Sequence, residues 1–96
     1  MTRNAKESVI EDYLVDKCRK LGIQVRKVIW SGRRNAPDRL LMVKGGVWVE
    51  TKRPDKSYKL TPGQIREHEL MRNAGMVVYC AYTKEDVDDI INSVGG

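Results

Sequence analysis

Asp38, Glu50 and Lys52 are the residues of this 96-residue chain whose types and spacing point to chemistry. In an extended strand residues two apart share a face, so Glu50 and Lys52 stand together with Trp48, while Val49 and Thr51 face the other way. Asp38 follows Pro37 at the entry of the preceding strand, across a hairpin from Glu50. Two carboxylates and a lysine on one patch are what phosphodiester hydrolysis needs: hard oxygen ligands for Mg2+, and a cation or base near the attacking water. A Glu-x-Lys pair alone is a weak signal, and Pro37-Asp38 twelve residues before Glu50 sharpens it. The plain alternative, a solvated strand face, fits poorly with the apolar run Val47-Trp48-Val49. Charges in an interior strand cost on the order of several kcal/mol unless they have partners or a use.

Further candidates surround this patch. At 100° per residue Glu7 falls within about 60° of the apolar stripe Ile10, Leu14 and Leu21, with Glu11 on the same side but nearer its edge. Either could reach a metal, and phase favours Glu7. An acid in a first helical turn also complements the helix dipole without any ligand. Gln64, early in a later helix, could orient a phosphate or a water, or simply cap its helix. His68 stands one turn on without a ligand partner, and Cys18 and Cys80 read as core residues.

The elements that must position these groups follow from periodicity and punctuation. A helix is predicted over 5–21, stopped by Gly22, then a β-branched strand over 23–30 and a polar loop carrying Gly32 and Pro37. Strands over 39–44 and 47–53 flank a two-residue Gly45-Gly46 turn. Thr61 as N-cap with Pro62 behind it opens a helix to about residue 74, stopped by Gly75. A buried strand over 76–82 and a last helix capped by Thr83 complete the order α-β-β-β-α-β-α. Three strands in a row and no GxGxxG exclude a dinucleotide-binding unit.

Length predicts a single domain over 1–96. No apolar run approaches the roughly 20 residues of a membrane span, and the N-terminal residues are charged where a signal peptide is apolar. Two distant cysteines give neither a CxxC metal pair nor a disulfide scaffold, so the expectation is a soluble, cytoplasmic protein. Of the net charge of +5, the segment Lys17–Arg34 holds seven basic residues and no acid. Residues 84–96 carry one Lys against four acids. A one-sided basic field attracts polyanions, nucleic acid first.

The segments ESVIEDYL (7–14), GRRNAPDRLLMV (32–43), VWVETKRP (47–54) and LTPGQIREHELMRNAG (60–75), in this order, resemble the VRR-NUC family of the PD-(D/E)xK nuclease superfamily. The likeness runs from Glu7 to about Tyr82. It implies an α/β, restriction-endonuclease-like αβββαβ core, a central mixed sheet flanked by helices, here with an extra C-terminal helix. It also implies Mg2+ or Mn2+ as cofactor, with no organic one, and a site made of the helix-one Glu, Asp38, Glu50 and Lys52, with Gln64 matching the family's glutamine. Where the family usually has Gly before Ala-Pro-Asp, Asn35 stands here, a residue that tolerates left-handed backbone. Stand-alone relatives resemble Holliday junction resolvases, so the expected partners are branched DNA and a second copy of the chain, with no membrane. On this reading Asp38, Glu50 and the Thr51 carbonyl hold the metal with Glu7 or Glu11, and Lys52 activates water. Arg26, Lys27, Arg33, Arg34 and Lys56 hold phosphates, and Trp30, Trp48 or Val78 offer apolar surface for a dimer. Competing readings are a non-catalytic nucleic-acid-binding module with a nuclease shape and a flap- or single-strand-specific nuclease.

Overall fold

The computed structural model describes residues 5–52 and 59–95, without the side chains of residues 5–8 and 95. Elements run α1 (Ala5–Lys20), β1 (Val25–Lys27), β2 (Arg39–Leu41), β3 (Val47–Thr51), α2 (Pro62–Asn73), β4 (Val77–Ala81) and α3 (Lys84–Gly95). The four strands form one sheet in the order β1-β2-β3-β4, antiparallel except for the parallel β3–β4 pair. The expected α/β architecture, a mixed sheet flanked by helices with an extra helix at the end, is what the chain adopts.

Alternation along β3 divides the molecule. Val47, Val49 and Thr51 are buried on one face with Leu41 and Ala81, packed against Ile10, Leu14 and Cys18 of α1 and Val87, Ile90, Ile91 and Val94 of α3. Trp48 and Glu50 alternate to the other face and stay half-buried. There α2 covers the β4 side through buried His68 and Met71, and leaves the β1–β2 side open.

The apolar stripe of α1 ends one step sooner than its spacing predicts. Leu21 is 57% exposed, and Ile23 packs on the core instead. Gly22 at φ 77° lets the Ile23 amide donate to Cys18 O (2.8 Å) and its own amide to Arg19 O (3.2 Å), which turns the chain back over the sheet. Strand β1 is shorter than 23–30. Paired strand ends at Lys27, with one further bond from the Val28 amide to Asp38 O, and Ile29 is 90% exposed. Five residues, not two, join β2 to β3, because Lys44 (φ 48°) adopts positive φ together with both glycines. Val78, expected as open apolar surface, is 4% exposed beneath α2. Trp30 and Trp48 do not stand free either: their rings pack 5.0 Å apart, tilted by 48°, and Trp30 Nε1 donates to Pro37 O. No described helix is long and apolar enough to cross a membrane.

Candidate active site

The register of the antiparallel strands brings the candidate residues together. Arg39 pairs with Val49 and Leu40 with Trp48, so one step further Asp38 stands opposite Glu50. Cross-strand neighbours of this kind lie about 5 Å apart at Cβ. Asp38 is fixed there by the Val28 amide, which donates to its carbonyl at 2.8 Å. Lys52 follows Glu50 on the same face, and its amide donates to Ala81 O at 2.9 Å, extending the parallel ladder past Thr51. Thr51 is buried on the opposite, α1-facing side, and only its backbone carbonyl is a candidate ligand. Cys80 pairs in register with Glu50, and burial, then the Glu50 charge, push its thiol up to about 11, which keeps it protonated and unreactive.

From the helix side, Glu11 is the acid whose side chain reaches this corner. Its carboxylate, 14% exposed, accepts from Arg39 Nε at 2.8 Å and Lys27 Nζ at 3.2 Å. Burial is the largest single influence and opposes its charge, but the hydrogen bonds and charges of Arg39 and Lys27 together outweigh it and hold the carboxyl below the usual carboxylate range. The same Lys27 ammonium lies 3.5 Å from Asp38 Oδ2, so one cation bridges α1 to the start of β2. Its pKa is raised, mainly by the bond to Glu11, with Asp38 adding to it against partial burial. Phase favoured Glu7, which does lie on α1, but its side chain is outside the described residues.

Gln64 sits at N3 of α2 as a helix cap. Its Oε1 accepts from the Thr61 amide at 3.0 Å, and its own amide donates to Thr61 Oγ1 at 3.1 Å. That reciprocal box ties its carbonyl oxygen to the helix start and leaves only its amide nitrogen for the site. His68, one turn on, is fully buried, and neither ring nitrogen has a hydrogen-bond partner. Burial first, then Arg72 and Lys52, lower its pKa and keep it neutral.

The basic candidates separate into three groups. Arg26 is exposed, its guanidinium turned to Gln24 Oε1 and the Val25 carbonyl. Arg33 is paired with Glu67 of α2, and Arg34 is exposed beside it. Lys27 is engaged with the carboxylates, and Lys56 lies outside the described residues. The loop carrying Arg33 and Arg34 docks on α2, where a Cβ on Gly63 would come within 2.6 Å of Asn35 Nδ2. The Asn35 side chain thus occupies the space beside Gly63. Among the described non-glycine residues only Lys44 has a positive φ, so the tolerance of Asn35 for left-handed backbone is not used. Sequence reasoning missed Arg39 and the bridging place of Lys27. The ladder pairs Lys27 with Arg39 and puts both on the face under α1, a placement that the sequence pattern alone does not give.

No three His, Cys, Asp or Glu side chains among the described residues converge into a preformed metal cluster. Asp38 and Glu50 nonetheless give two hard oxygen donors on one face, and with a carbonyl and waters such a set suits Mg2+ or Mn2+ better than a soft metal.

No family model matches the chain. A phage protein named "Putative nuclease p44", from Acyrthosiphon pisum secondary endosymbiont phage 1, is 36% identical over 94 residues, 96% of this chain and 98% of that protein. A solved structure titled "VRR_NUC domain" superposes with a TM-score of 0.79 at 37% identity, covering 91% of this chain and 95% of that one. Identity at this level over nearly the full length of both relatives, on the same fold, means that the chain belongs to the VRR-NUC nuclease family.

Proposed function

We propose that this chain is a metal-dependent, structure-specific DNA endonuclease that cuts branched DNA, four-way junctions first, as a homodimer with one nuclease domain in each copy. The observation that carries the reading is the register-opposed pair Asp38 and Glu50 with Lys52 on the same strand face, in a chain of the VRR-NUC family. Asp38, Glu50 and the Thr51 carbonyl would hold Mg2+ or Mn2+, with Glu11 or Glu7 contributing directly or through water. A divalent ion bound there would supply Lewis-acid polarisation of the scissile phosphate and acidify a nearby water. Lys52 orients the attacking water, favours loss of its proton through the field of its ammonium and offsets charge developing on the phosphate. The Gln64 amide donates to a phosphate oxygen at the start of α2. Arg26, Arg33 and Arg34 grip flanking phosphates and position the backbone without reading bases, so selectivity rests on DNA shape.

The dimer follows from the substrate. Two symmetric nicks need two sites related by a two-fold axis, and one copy supplies one. The open end of the sheet, with Met42 at 55%, Met76 at 43% and Val77 at 40% exposed, offers apolar area for that contact.

The test is cleavage of labelled four-way junction, flap, single-stranded and linear DNA with Mg2+ and with Mn2+, alongside light scattering with and without junction. Paired nicks in the junction and a mass near twice 11.0 kDa are expected. A monomer that cuts only flaps or single-stranded ends would replace the junction reading with a flap- or single-strand-specific one.

A further inference from the structure

The two carboxylates that flank the proposed metal position from α1 and β2 already share a cation. Lys27 Nζ stands 3.2 Å from Glu11 Oε2 and 3.5 Å from Asp38 Oδ2. Lys27 is held to this place from below by the ladder, since its strand partner Arg39 takes the same Glu11 oxygen at 2.8 Å. Yet the side chain of Lys27 is 53% exposed, while Arg39 is 17% exposed. The two cations therefore differ in freedom. Arg39 is packed under α1 as a permanent counterion of Glu11. Lys27 has a four-carbon stem and an open path to solvent, and its ion pairs are of the exposed, individually weak kind.

A cation between two carboxylates excludes a second cation from the same oxygens. We infer that Lys27 is a placeholder: it occupies the Glu11–Asp38 pair when no metal is bound, and must leave Asp38 when a divalent ion takes that oxygen. This inference rests on the assignment of Asp38 as a metal ligand and adds a residue that regulates its occupation. Three consequences follow from charge alone. Before metal entry Lys27 keeps two like-charged carboxylates from repelling one another at the mouth of the site. After metal entry its ammonium, on a side chain already 53% exposed, is released at the surface, where a phosphate can take it. Because the two events use one ammonium, bound DNA that captures Lys27 tightens the metal, and by linkage the metal tightens the DNA by the same factor.

The exchange is tested without any cleavage, by Mn2+ titration calorimetry in the absence of DNA, with the Mn2+-induced rise in Tm as a second readout. Lys27→Met should bind Mn2+ about three- to tenfold more tightly than wild type, the sum of two exposed ion pairs no longer in competition. Lys27→Gln, which keeps a polar side chain, should do the same and serves if the Met variant does not fold. Arg26→Met removes an equal charge from the same strand without touching either carboxylate, so it isolates the long-range field and should change the affinity less than twofold. Equal affinities for wild type and Lys27→Met, or an Arg26→Met effect as large as that of Lys27→Met, would overturn the placeholder. Asp38→Asn separates this failure from that of the underlying reading. If Asp38→Asn loses Mn2+ while Lys27→Met changes nothing, the metal assignment stands and the exchange falls. If Asp38→Asn binds Mn2+ as wild type does, the metal assignment itself falls, and the exchange with it.

Discussion

The two faces of the sheet are built from alternate residues of the same strands, and they are finished in opposite ways. Under α1 and α3 the odd-numbered residues Leu41, Val47, Val49 and Ala81, each 0–1% exposed, are closed in the hydrophobic core. On the other face the even-numbered Trp48 and Glu50 are half-buried, and α2 covers the β4 side while β1 and β2 stay open. One face binds the protein together, and the other carries the candidate site at the sheet's rim. The polar face still has one closed spot, on the β4 side, where His68 and Val78 are buried and the His68 ring nitrogens are unpaired. Even there α2 is held by polar contacts: Arg72 clamps it to β4 by donating to Val78 O at 2.8 and 3.2 Å.

That contrast predicts where substitutions cost activity and where they cost stability. The largest effect belongs to the open face. Glu50→Gln should lower cleavage by at least about a thousandfold, the scale of removing a unit that acts together, while junction affinity holds or rises as a negative charge is lost. Asp38→Asn should match it, and the double variant should be no worse than either single one. A double loss equal to the product of the single losses, measured in single-turnover cleavage with metal titrated to saturation, would mean that the two carboxylates do not serve one ion.

One substitution made on both sides of the molecule sharpens the comparison. Leu14 of α1 is fully buried, and Leu70 of α2 is 61% exposed. Leu14→Ala should cost about 2–5 kcal/mol, and Leu70→Ala within about 0.5 kcal/mol. For a domain of this size each kcal/mol moves Tm by about 4–8 °C, so calorimetric unfolding separates the two clearly. Similar losses at both positions would mean that α2 packs as a core helix and that the faces are not finished differently.

His68 supplies a pH test of the closed spot on the polar face. Its folded pKa lies below the ordinary 6.5, first because of burial and then because of Arg72 and Lys52. The unfolded chain therefore takes up the proton more readily. The stability of the neutral imidazole is fully present above pH 6.5 and is lost as pH falls below it, with a slope of at most about 1.4 kcal/mol per pH unit for one proton. The Tm of wild type should drop between pH 7 and pH 5 relative to His68→Leu, which cannot titrate. Parallel Tm curves for the two proteins would show that His68 is solvated in the folded chain.

The smallest expected effect concerns the loop before Asp38. Arg33 is already paired with Glu67, so it gives up an ion pair to contact DNA, whereas exposed Arg34 gives up none that the structure records. Arg34→Ala should therefore make the slope of log affinity against log salt shallower by about 0.9, and Arg33→Ala by less. Equal changes in slope, from binding isotherms between low and moderate salt, would show that the Glu67 pair does not hold Arg33 back.

Element order and type, and the candidate constellation Asp38, Glu50 and Lys52, were legible in the sequence because they rest on local rules. Helix ends followed Gly22, the Thr61-Pro62 cap and Gly75, and the period of two in β3 put Glu50 on one face and Val49 on the other. Four motifs in order also identified the family, and the relatives bear that out. What only the tertiary structure decided are distances between residues far apart in the chain. Helical phase could not say that Glu11 meets Lys27 and Arg39 across 16 and 28 residues, because phase fixes an angle about the helix axis and not how the helix is docked. Nor could propensity place Asn35 against Gly63 and Arg33 against Glu67, contacts set by how a loop lies on a helix it precedes by a whole hairpin. Val78 read as open surface for the same reason: alternation names a residue's face, and whether a helix covers that face is settled only by packing.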